Sequence, residues 1–381
     1  MNDQPARFTS EFTYSMNKSK TENFINKFMS TQSFSYNRPF QLESGITLAR
    51  FNLTYTTLGK LNARKDNVVW IFHALTANSN PAEWWPGLVG EGKLFDPAKY
   101  FIICVNKPGS PYGSISPLTA NPETGELLYH DFPVFTIRDI IRSFQQLKAH
   151  LGIEKIFVAL GGSTGGMQLL EWAIEEPGLF EHIVPIATNA VLSPWGIAFN
   201  ASQRMAIEAD GTWLHRSPEA GQKGLAAARS IALLSYRHYN GYAITQPRDK
   251  AFVQFGPEVV YAADNYQRYQ GMKLVNRFHA LCYYRLTQTM DSHDVGRNRN
   301  GVENALGLIT AKTLVIGIQS DVLYPITEQE YLRDKIRGAE LLSISSDFGH
   351  DGFLLEYEKI ETALNKFISD KSSHHLKVVN Q

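Results

Sequence analysis

The chain has 381 residues, 43% of them hydrophobic, and its 37 Lys and Arg residues are balanced by 37 Asp and Glu residues. A chain of this length can bury a full hydrophobic core, and its zero net charge provides no basic field to gather phosphates, so we expect no nucleic-acid partner. Only two cysteines are present, Cys104 and Cys282, which excludes a disulfide framework and a cysteine-based metal site.

The first 36 residues are polar and rich in Ser, Thr, Asn and Lys. We expect them to form a loosely ordered arm. They lack the apolar stretch that is typical of a secretory signal, and no run of 18 or more apolar residues occurs in the sequence. We therefore expect a cytoplasmic protein without a membrane partner.

Apolar runs predict buried strands in the first half of the chain and again near its end. Residues 51–55 alternate like a strand that ends before Gly59. The other runs are mainly continuous, which suits strands buried on both faces of a parallel sheet. These runs are residues 68–72, 100–105, 156–160, 183–187, 313–318 and 341–345.

Two helical patterns separate strands in the first half. From residue 137 to residue 151 the apolar side chains recur at steps of three and four, and Gly152 is placed to end that helix. A second helical pattern follows residue 166 and stops at Pro177. The alternation of strand and helix predicts an α/β fold with a mostly parallel sheet flanked by helices.

The middle third has a different character, because helical patterns dominate from about residue 189 to about residue 300. We expect residues 189–300 to form a helical cap inserted into the sheet domain. The sheet domain would then comprise residues 37–188 and 301–381, preceded by the arm of residues 1–36.

A Gly-rich motif, Gly161-Gly162-Ser163-Thr164-Gly165, follows the strand predicted at residues 156–160 and precedes a helix. This is the G-x-S-x-G pattern of a nucleophile on a sharp strand-to-helix turn. A phosphate-binding loop is the alternative. It is disfavoured because a Walker loop needs Lys near its last glycine, where Met167 stands, and because the dinucleotide spacing of glycines is absent.

A serine nucleophile needs a base, and in the α/β-hydrolase fold the order along the chain is serine, acid, histidine. Asp321 follows the strand predicted at residues 313–318, and His350 follows the strand predicted at residues 341–345. We predict that His350 accepts the proton of Ser163 and that Asp321 orients His350. Two alternatives exist. Asp347 could be the acid instead, but it follows the same strand as His350 and lies very close to it in the sequence. Asp321 could also be an ordinary turn residue.

The developing negative charge of such a reaction needs two backbone N–H groups, which form an oxyanion hole. One should come from Thr164, the residue after the nucleophile. The other should come from the loop after the strand at residues 68–72, where we choose Leu75. We expect His73 to shape this loop.

Several segments together resemble the homoserine O-acetyltransferase family of the α/β-hydrolase superfamily, from about residue 38 to about residue 368. The resemblance includes the loop at residues 106–117, which is similar to the active-site loop of the family. The segments are His73-Ala74-Leu75-Thr76, the run from Gly161 to Gln168, Leu170-Glu171-Trp172-Ala173, Ile197-Ala198-Phe199-Asn200, Tyr269-Gln270-Gly271 and Met290-Asp291-Ser292-His293-Asp294.

The resemblance implies transfer of an acetyl group from acetyl-CoA to the hydroxyl of L-homoserine, in methionine biosynthesis, by a ping-pong mechanism through Ser163. It also implies that Arg229, Tyr236 and Asp351 bind the acceptor, with Arg204 as a weaker candidate. An Arg side chain can bind the carboxylate of an amino acid through two hydrogen bonds, and Asp351 can bind its ammonium group. A homodimer formed through cap helices is implied as well.

Other activities remain open on the same motifs. A succinyl donor, or serine as the acceptor, would use the same scaffold. A serine esterase would let water resolve the acyl-enzyme, and a non-catalytic binding protein would leave the three predicted catalytic residues without a role. Neither a metal site nor a bound cofactor is expected, because no metal-ligand spacing occurs, and acetyl-CoA is expected only as a co-substrate.

Overall fold

The computed structural model describes residues 28–248, 251–252 and 260–369, and an eight-stranded sheet is its central layer. The strands are β1 Met29–Tyr36, β2 Phe51–Leu58, β3 Val68–Phe72, β4 Phe101–Val105, β5 Ile156–Gly162, β6 Phe180–Ile186, β7 Lys312–Ile318 and β8 Glu340–Ile344. Their spatial order is β1-β2-β4-β3-β5-β6-β7-β8; β1 and β4 pair antiparallel with β2, and the other neighbours are parallel.

Twelve α-helices are found in the described residues, with two short 3₁₀ turns at Tyr129–Asp131 and Gly349–Asp351. Two short antiparallel strand pairs lie outside the main sheet, Phe40–Gln41 with Thr47–Leu48 and Ala251–Phe252 with Val260–Tyr261. The helices are α1 Pro81–Trp84, α2 Ile137–His150, α3 Thr164–Glu175, α4 Pro194–Glu208, α5 Gln222–Tyr236, α6 Tyr239–Thr245, α7 Ala262–Val275, α8 Ala280–Asp291, α9 Val302–Leu306, α10 Ile326–Lys335, α11 Gly352–Leu355 and α12 Tyr357–Ser369.

The central strand β3 shows why continuous apolar runs predicted the sheet correctly. All five of its residues are buried. Trp70 and Phe72 pack into one apolar cluster, whereas Val69 and Ile71 pack into a second cluster on the other face. Because successive side chains of a strand point to opposite faces, a strand covered on both sides needs apolar residues at every position.

The helix α2 begins and ends close to the predicted bounds. The Thr136 side chain accepts a hydrogen bond from the Asp139 N–H, and the Asp139 carboxylate accepts one from the Thr136 N–H. This reciprocal cap satisfies two backbone donors that a helix start leaves without partners. Beyond the other end lies Gly152 with a positive φ of 63°, as expected of a residue that ends a helix.

The prediction of a loosely ordered arm is wrong for residues 29–36. Met29–Tyr36 forms the edge strand β1, paired along its length with Phe51–Leu58. Four of its residues are exposed in succession and only Phe34 is buried. An edge strand with one solvated face needs few apolar residues. Its composition therefore does not differ from that of a loop, and the apolar pattern of a buried strand is absent. Residues 1–27 lie outside the described residues.

Five helices, α4 to α8, occupy the segment between β6 and β7 that was expected to form the cap. A third apolar cluster joins this cap to the sheet domain, because it contains Leu75 and Met167 from the sheet domain together with Leu225 and Tyr283 from cap helices. The cap therefore covers the edge of the sheet where β3 and β5 end. No helix within the part of the chain that the structure describes is long and apolar enough to cross a bilayer.

Candidate active site

Ser163 lies on a sharp turn between β5 and α3 with φ 57° and ψ −124°, a conformation that costs a non-glycine residue free energy. Two hydrogen bonds hold the turn in place. The Ser163 N–H donates to the Ile186 carbonyl at 2.9 Å, and the Thr188 hydroxyl donates to the Ser163 carbonyl at 2.9 Å. The neighbouring strand β6 and the residues after it therefore stabilise a strained backbone that presents Ser163 at the N-terminus of α3.

Glycines flank Ser163 because the turn leaves no room for side chains. A Cβ atom at Gly165 would lie 2.2 Å from the Phe72 carbonyl oxygen, which is backbone of β3. A Cβ atom at Gly161 would lie 2.5 Å from the backbone of Gly165. Neither backbone group can move away as a flexible side chain could, so the structure accounts for the motif in steric terms.

The structure brings Asp321 and His350 together as predicted from their order in the chain. The His350 Nδ1 and the Asp321 Oδ2 are 2.6 Å apart, and both side chains are buried. The other oxygen, Asp321 Oδ1, accepts the N–H groups of Leu323 at 2.8 Å and Tyr324 at 2.9 Å. Both oxygens of the carboxylate thus have partners, so its position is fixed. Because Nδ1 of His350 is bound to Asp321, its Nε2 is the nitrogen that can accept a proton.

The electrostatic environment of His350 favours its charged form. Burial alone would lower the pKa of His350, but the Asp321 carboxylate, its hydrogen bond and the charge of Asp351 raise that pKa above the ordinary 6.5. A histidine with a raised pKa is a stronger base in its neutral form. The arrangement can therefore take a proton from a neighbouring hydroxyl and stabilise the imidazolium that results.

The loop carrying His350 rests on the last turn of a cap helix. Gly349 has φ 62°. A Cβ atom there would lie 2.8 Å from the Arg237 carbonyl carbon and 3.0 Å from the Tyr236 carbonyl oxygen. The His350 ring lies 5.7 Å from the Tyr236 ring, centroid to centroid.

The predicted oxyanion-hole amides lie near Ser163. Leu75 and Ser163 line the same cavity, and Thr164 is the first residue of α3. Within residues 28–248, 251–252 and 260–369 the structure gives neither amide N–H a hydrogen-bond acceptor. The His73 side chain holds the loop, since its Nδ1 bonds the Ala74 carbonyl at 2.8 Å and its Nε2 accepts the Lys107 N–H at 3.1 Å.

A cavity of about 610 Å³ contains Ser163 and His350 together with three of the predicted acceptor residues, Arg229, Tyr236 and Asp351. The Arg229 guanidinium lies 5.5 Å above the Tyr236 ring. Burial raises the pKa of Tyr236 above its ordinary value, so its hydroxyl stays protonated and can donate a hydrogen bond. Residues of α5 and of the loop after β8 thus meet around one space, although they are far apart in the sequence.

The fourth candidate, Arg204, does not join this cavity. Its guanidinium pairs with Asp291 at 2.7 Å and donates to the Thr287 hydroxyl at 3.2 Å, so it links α4 to α8 within the cap. The prediction that Arg204 binds the acceptor is therefore wrong on position. Its helical context resembled that of Arg229, and the sequence did not reveal which face of the helix lies against a neighbour.

Two residues that no sequence motif marks also lie at the site. Arg237 lines the cavity and pairs with Asp351 Oδ2 at 3.0 Å, so Asp351 has a cationic partner. Tyr324 is fully buried, with its ring 5.2 Å from the His350 ring. Position alone could have suggested Arg237, because it follows the predicted Tyr236 directly. The sequence holds no comparable signal for Tyr324.

The fold and this site define the chain as a member of the α/β-hydrolase class, and the family model for the alpha/beta hydrolase fold matches residues 67–357. A homoserine O-acetyltransferase from Cyclobacterium marinum is 46% identical over 344 residues, which cover 89% of this chain and 95% of that relative. The chain therefore belongs to the homoserine O-acetyltransferase family and is an acyltransferase of that family, which confirms the resemblance found in its motifs.

Two solved structures resemble the chain over nearly its whole length. Homoserine O-acetyltransferase from Bacillus anthracis superposes with a TM-score of 0.83 and 25% identity, covering 91% of this chain and 99% of that one. Esterase E22 superposes with a TM-score of 0.82 and 23% identity, covering 89% of this chain and all of that one. The second likeness shows the fold alone.

Proposed function

We propose that the chain transfers an acetyl group from acetyl-CoA to the side-chain hydroxyl of L-homoserine, with Ser163, His350 and Asp321 as its catalytic triad. One observation carries the proposal. The cavity that contains Ser163 and His350 also contains Arg229 and Asp351, a cation and an anion suited to the carboxylate and the ammonium group of an amino acid.

In the first step His350 takes the proton of the Ser163 hydroxyl while the Ser163 Oγ attacks the thioester carbonyl of acetyl-CoA. The carbonyl oxygen becomes an oxyanion that accepts hydrogen bonds from the N–H groups of Leu75 and Thr164. The carbon–sulfur bond then breaks, the thiolate of CoA receives the proton from His350, and an acetyl ester remains on Ser163.

The second step repeats this sequence with the amino acid. Arg229 holds the carboxylate of homoserine, and Asp351 holds its ammonium group. His350 takes the proton of the homoserine hydroxyl, whose oxygen attacks the acetyl ester. Breakage of the ester bond returns the proton to Ser163, and O-acetylhomoserine leaves.

The charges at the mouth of the cavity support a CoA donor. Four cationic side chains line the cavity, against two acidic ones, Glu83 and Asp351. Lys273 and Arg277 are exposed, so they can reach the phosphates of a ligand whose thioester lies near Ser163. The four cations are Arg229, Arg237, Lys273 and Arg277. Among the described residues, no group of His, Cys, Asp and Glu could hold a metal ion.

The deciding experiment follows thiol release from acetyl-CoA by the purified chain, with and without L-homoserine, and identifies the acylated product by mass. We expect release that depends on homoserine and yields O-acetylhomoserine. Parallel reactions with succinyl-CoA and with L-serine test the two alternative acyl transfers. Equal release without any acceptor would instead indicate an esterase.

The homodimer belongs to this proposal too. Exposed large apolar side chains are concentrated on cap helices, and an apolar surface of this kind favours association with a second copy. They include Trp195, Met205, Leu234, Tyr239, Tyr269 and Met272. Light scattering of the purified chain would measure its mass in solution. The cytoplasmic location stays a prediction.

A further inference from the structure

Lys107 is a buried lysine next to the site, at the start of the loop that follows β4. Only 2% of its surface is exposed. Its Nζ donates to three oxygens: the His73 carbonyl at 2.9 Å, the Ala74 carbonyl at 3.1 Å and the Thr164 hydroxyl at 2.9 Å. An ammonium group has three N–H donors, so these three acceptors match its charged form.

The described residues give Lys107 no carboxylate partner. The titratable groups that face it are His73, from the loop after β3, and Cys104, in β4. Burial, followed by the charge of Lys107, lowers the pKa of His73 well below its ordinary value, and burial raises the pKa of the Cys104 thiol. Both neighbours are therefore neutral near pH 7. A cation buried without a counter-charge is costly, so its position calls for an explanation.

The acceptors of Lys107 belong to the two segments that carry the predicted oxyanion-hole amides. The Ala74 carbonyl is part of the same peptide group as the Leu75 N–H. In a trans peptide the carbonyl and the N–H point in opposite directions, and no cis peptide bond occurs in the described residues. A donor that fixes the Ala74 carbonyl therefore fixes the direction of the Leu75 N–H.

The same ammonium group holds the second segment. Its bond to the Thr164 hydroxyl ties the first residue of α3, which carries the other amide, to the loop at residues 73–75. The His73 Nδ1 at 2.8 Å and the Ala77 N–H at 3.3 Å also donate to the Ala74 carbonyl. One side chain thus links both amides and places a positive charge close to where the acyl oxygen becomes negative.

We propose that Lys107 is a positioning residue for the oxyanion hole. Its ammonium group holds the amides of Leu75 and Thr164 at the spacing that the acyl oxygen requires. The inference rests on the proposed role of Ser163 as nucleophile. Lys107 itself does not line the cavity that contains Ser163 and His350.

The charge of Lys107 provides a signature that a packing role lacks. Burial lowers the pKa of Lys107 to about 7. As the pH rises through that value, the group loses its charge and one of its three N–H donors. The rate of Ser163 acylation should therefore fall as the pH rises above about 7. This alkaline limb of the pH–rate profile should be caused by deprotonation of Lys107.

The test measures the acetylation rate of Ser163 by p-nitrophenyl acetate, which needs no acceptor, as a function of pH in the wild-type chain and in Lys107→Met. We expect the variant to acylate roughly 10²-fold more slowly, near the lower end of the loss for an oxyanion donor. Its KM should be almost unchanged, because the hole binds the transition state, and its alkaline limb should be absent.

Ser114→Ala is the matched control. Ser114 is buried in the same loop, where its hydroxyl receives the Thr54 N–H and donates to the Asn106 carbonyl, but it does not contact the hole. We expect it to lower the melting temperature and to keep the alkaline limb. If Lys107→Met lowers only the melting temperature and leaves rate and limb intact, Lys107 is a packing residue and the inference is wrong.

A pair of variants at Thr164 keeps the test decisive if Lys107→Met does not fold. Thr164→Val removes the hydroxyl that accepts from Lys107, whereas Thr164→Ser keeps it, and both keep the backbone N–H. We expect acylation to be slower in Thr164→Val than in Thr164→Ser, because only the serine keeps an acceptor for Lys107; equal rates in the two variants would overturn the inference. If p-nitrophenyl acetate fails to acetylate Ser163 in the wild-type chain, the proposed function fails instead.

Discussion

The sheet domain and the cap contribute to the same cavity by different means. In the sheet domain, backbone hydrogen bonds and close backbone contacts fix Ser163 and Asp321 on turns that follow buried strands. In the cap, the side chains of Arg229 and Tyr236 reach the cavity from one helix, α5. Under the proposed function, backbone contacts of the sheet domain position the triad, whereas side chains of a cap helix contribute to binding the acceptor. Changes in the two regions should therefore have effects of different size and kind.

The largest effect should come from Ser163→Ala in the sheet domain. Without the hydroxyl no acetyl-enzyme can form, and we expect kcat to fall on the order of 10⁶-fold, as for triad serines in general. Mass spectrometry after incubation with acetyl-CoA should detect no covalent adduct on the variant. Turnover near the wild-type rate would remove Ser163 from the mechanism.

A smaller loss is expected for Asp321→Asn, because the nucleophile and the base remain. We expect kcat to fall about 10⁴-fold, since the amide no longer holds the neutral histidine in the required tautomer. The pH profile should also change. His350 is active only when neutral, so the raised pKa makes wild-type activity fall as the pH drops through it.

Loss of the carboxylate lowers the pKa of His350, so the acid limb of Asp321→Asn should move to lower pH. The kcat/KM profiles of the two proteins measure this shift. An unchanged acid limb would mean that another group governs it. The sign for stability is opposite to the sign for activity: the His350–Asp321 pair stabilises the fold fully below pH 6.5, and that contribution is lost as the pH rises through the raised pKa.

The smallest effect should come from Arg229→Ala in the cap. We expect the KM for homoserine to rise roughly 10- to 100-fold, because a charge-assisted hydrogen bond to its carboxylate is lost, with little change in the acetylation of Ser163. Arg204→Ala is the control, since Arg204 pairs with Asp291 away from the cavity. It should lower the melting temperature and leave this KM unchanged. A similar KM for wild type and Arg229→Ala would contradict the comparison.

The sheet domain was the more predictable region, for a physical reason. Its strands are buried on both faces, so their apolar runs are continuous, and Val68–Phe72 begins and ends where the pattern does. Ser163, Asp321 and His350 each follow a strand of the sheet, and the carboxyl ends of parallel strands meet at one edge of the sheet. Both signals are local in the sequence and need no knowledge of packing.

What the sequence analysis missed depends on packing between distant segments. The polar edge strand Met29–Tyr36 is defined by its partner Phe51–Leu58 rather than by its own composition. Arg204 and Arg229 both lie on cap helices, and only the arrangement of those helices separates the one that lines the cavity from the one that does not. Lys107 likewise looks like any loop lysine until its three acceptors are known.

The contact of Gly349 with the end of α5 couples two events that could have been independent. Because the loop carrying His350 lies against the backbone of Tyr236 and Arg237, any outward swing of that helix end removes the support of the general base. A displacement of this helix end would therefore also disturb the general base. Hydrolysis of an acetyl ester on Ser163 needs the same base as transfer to the acceptor, so both reactions would slow together.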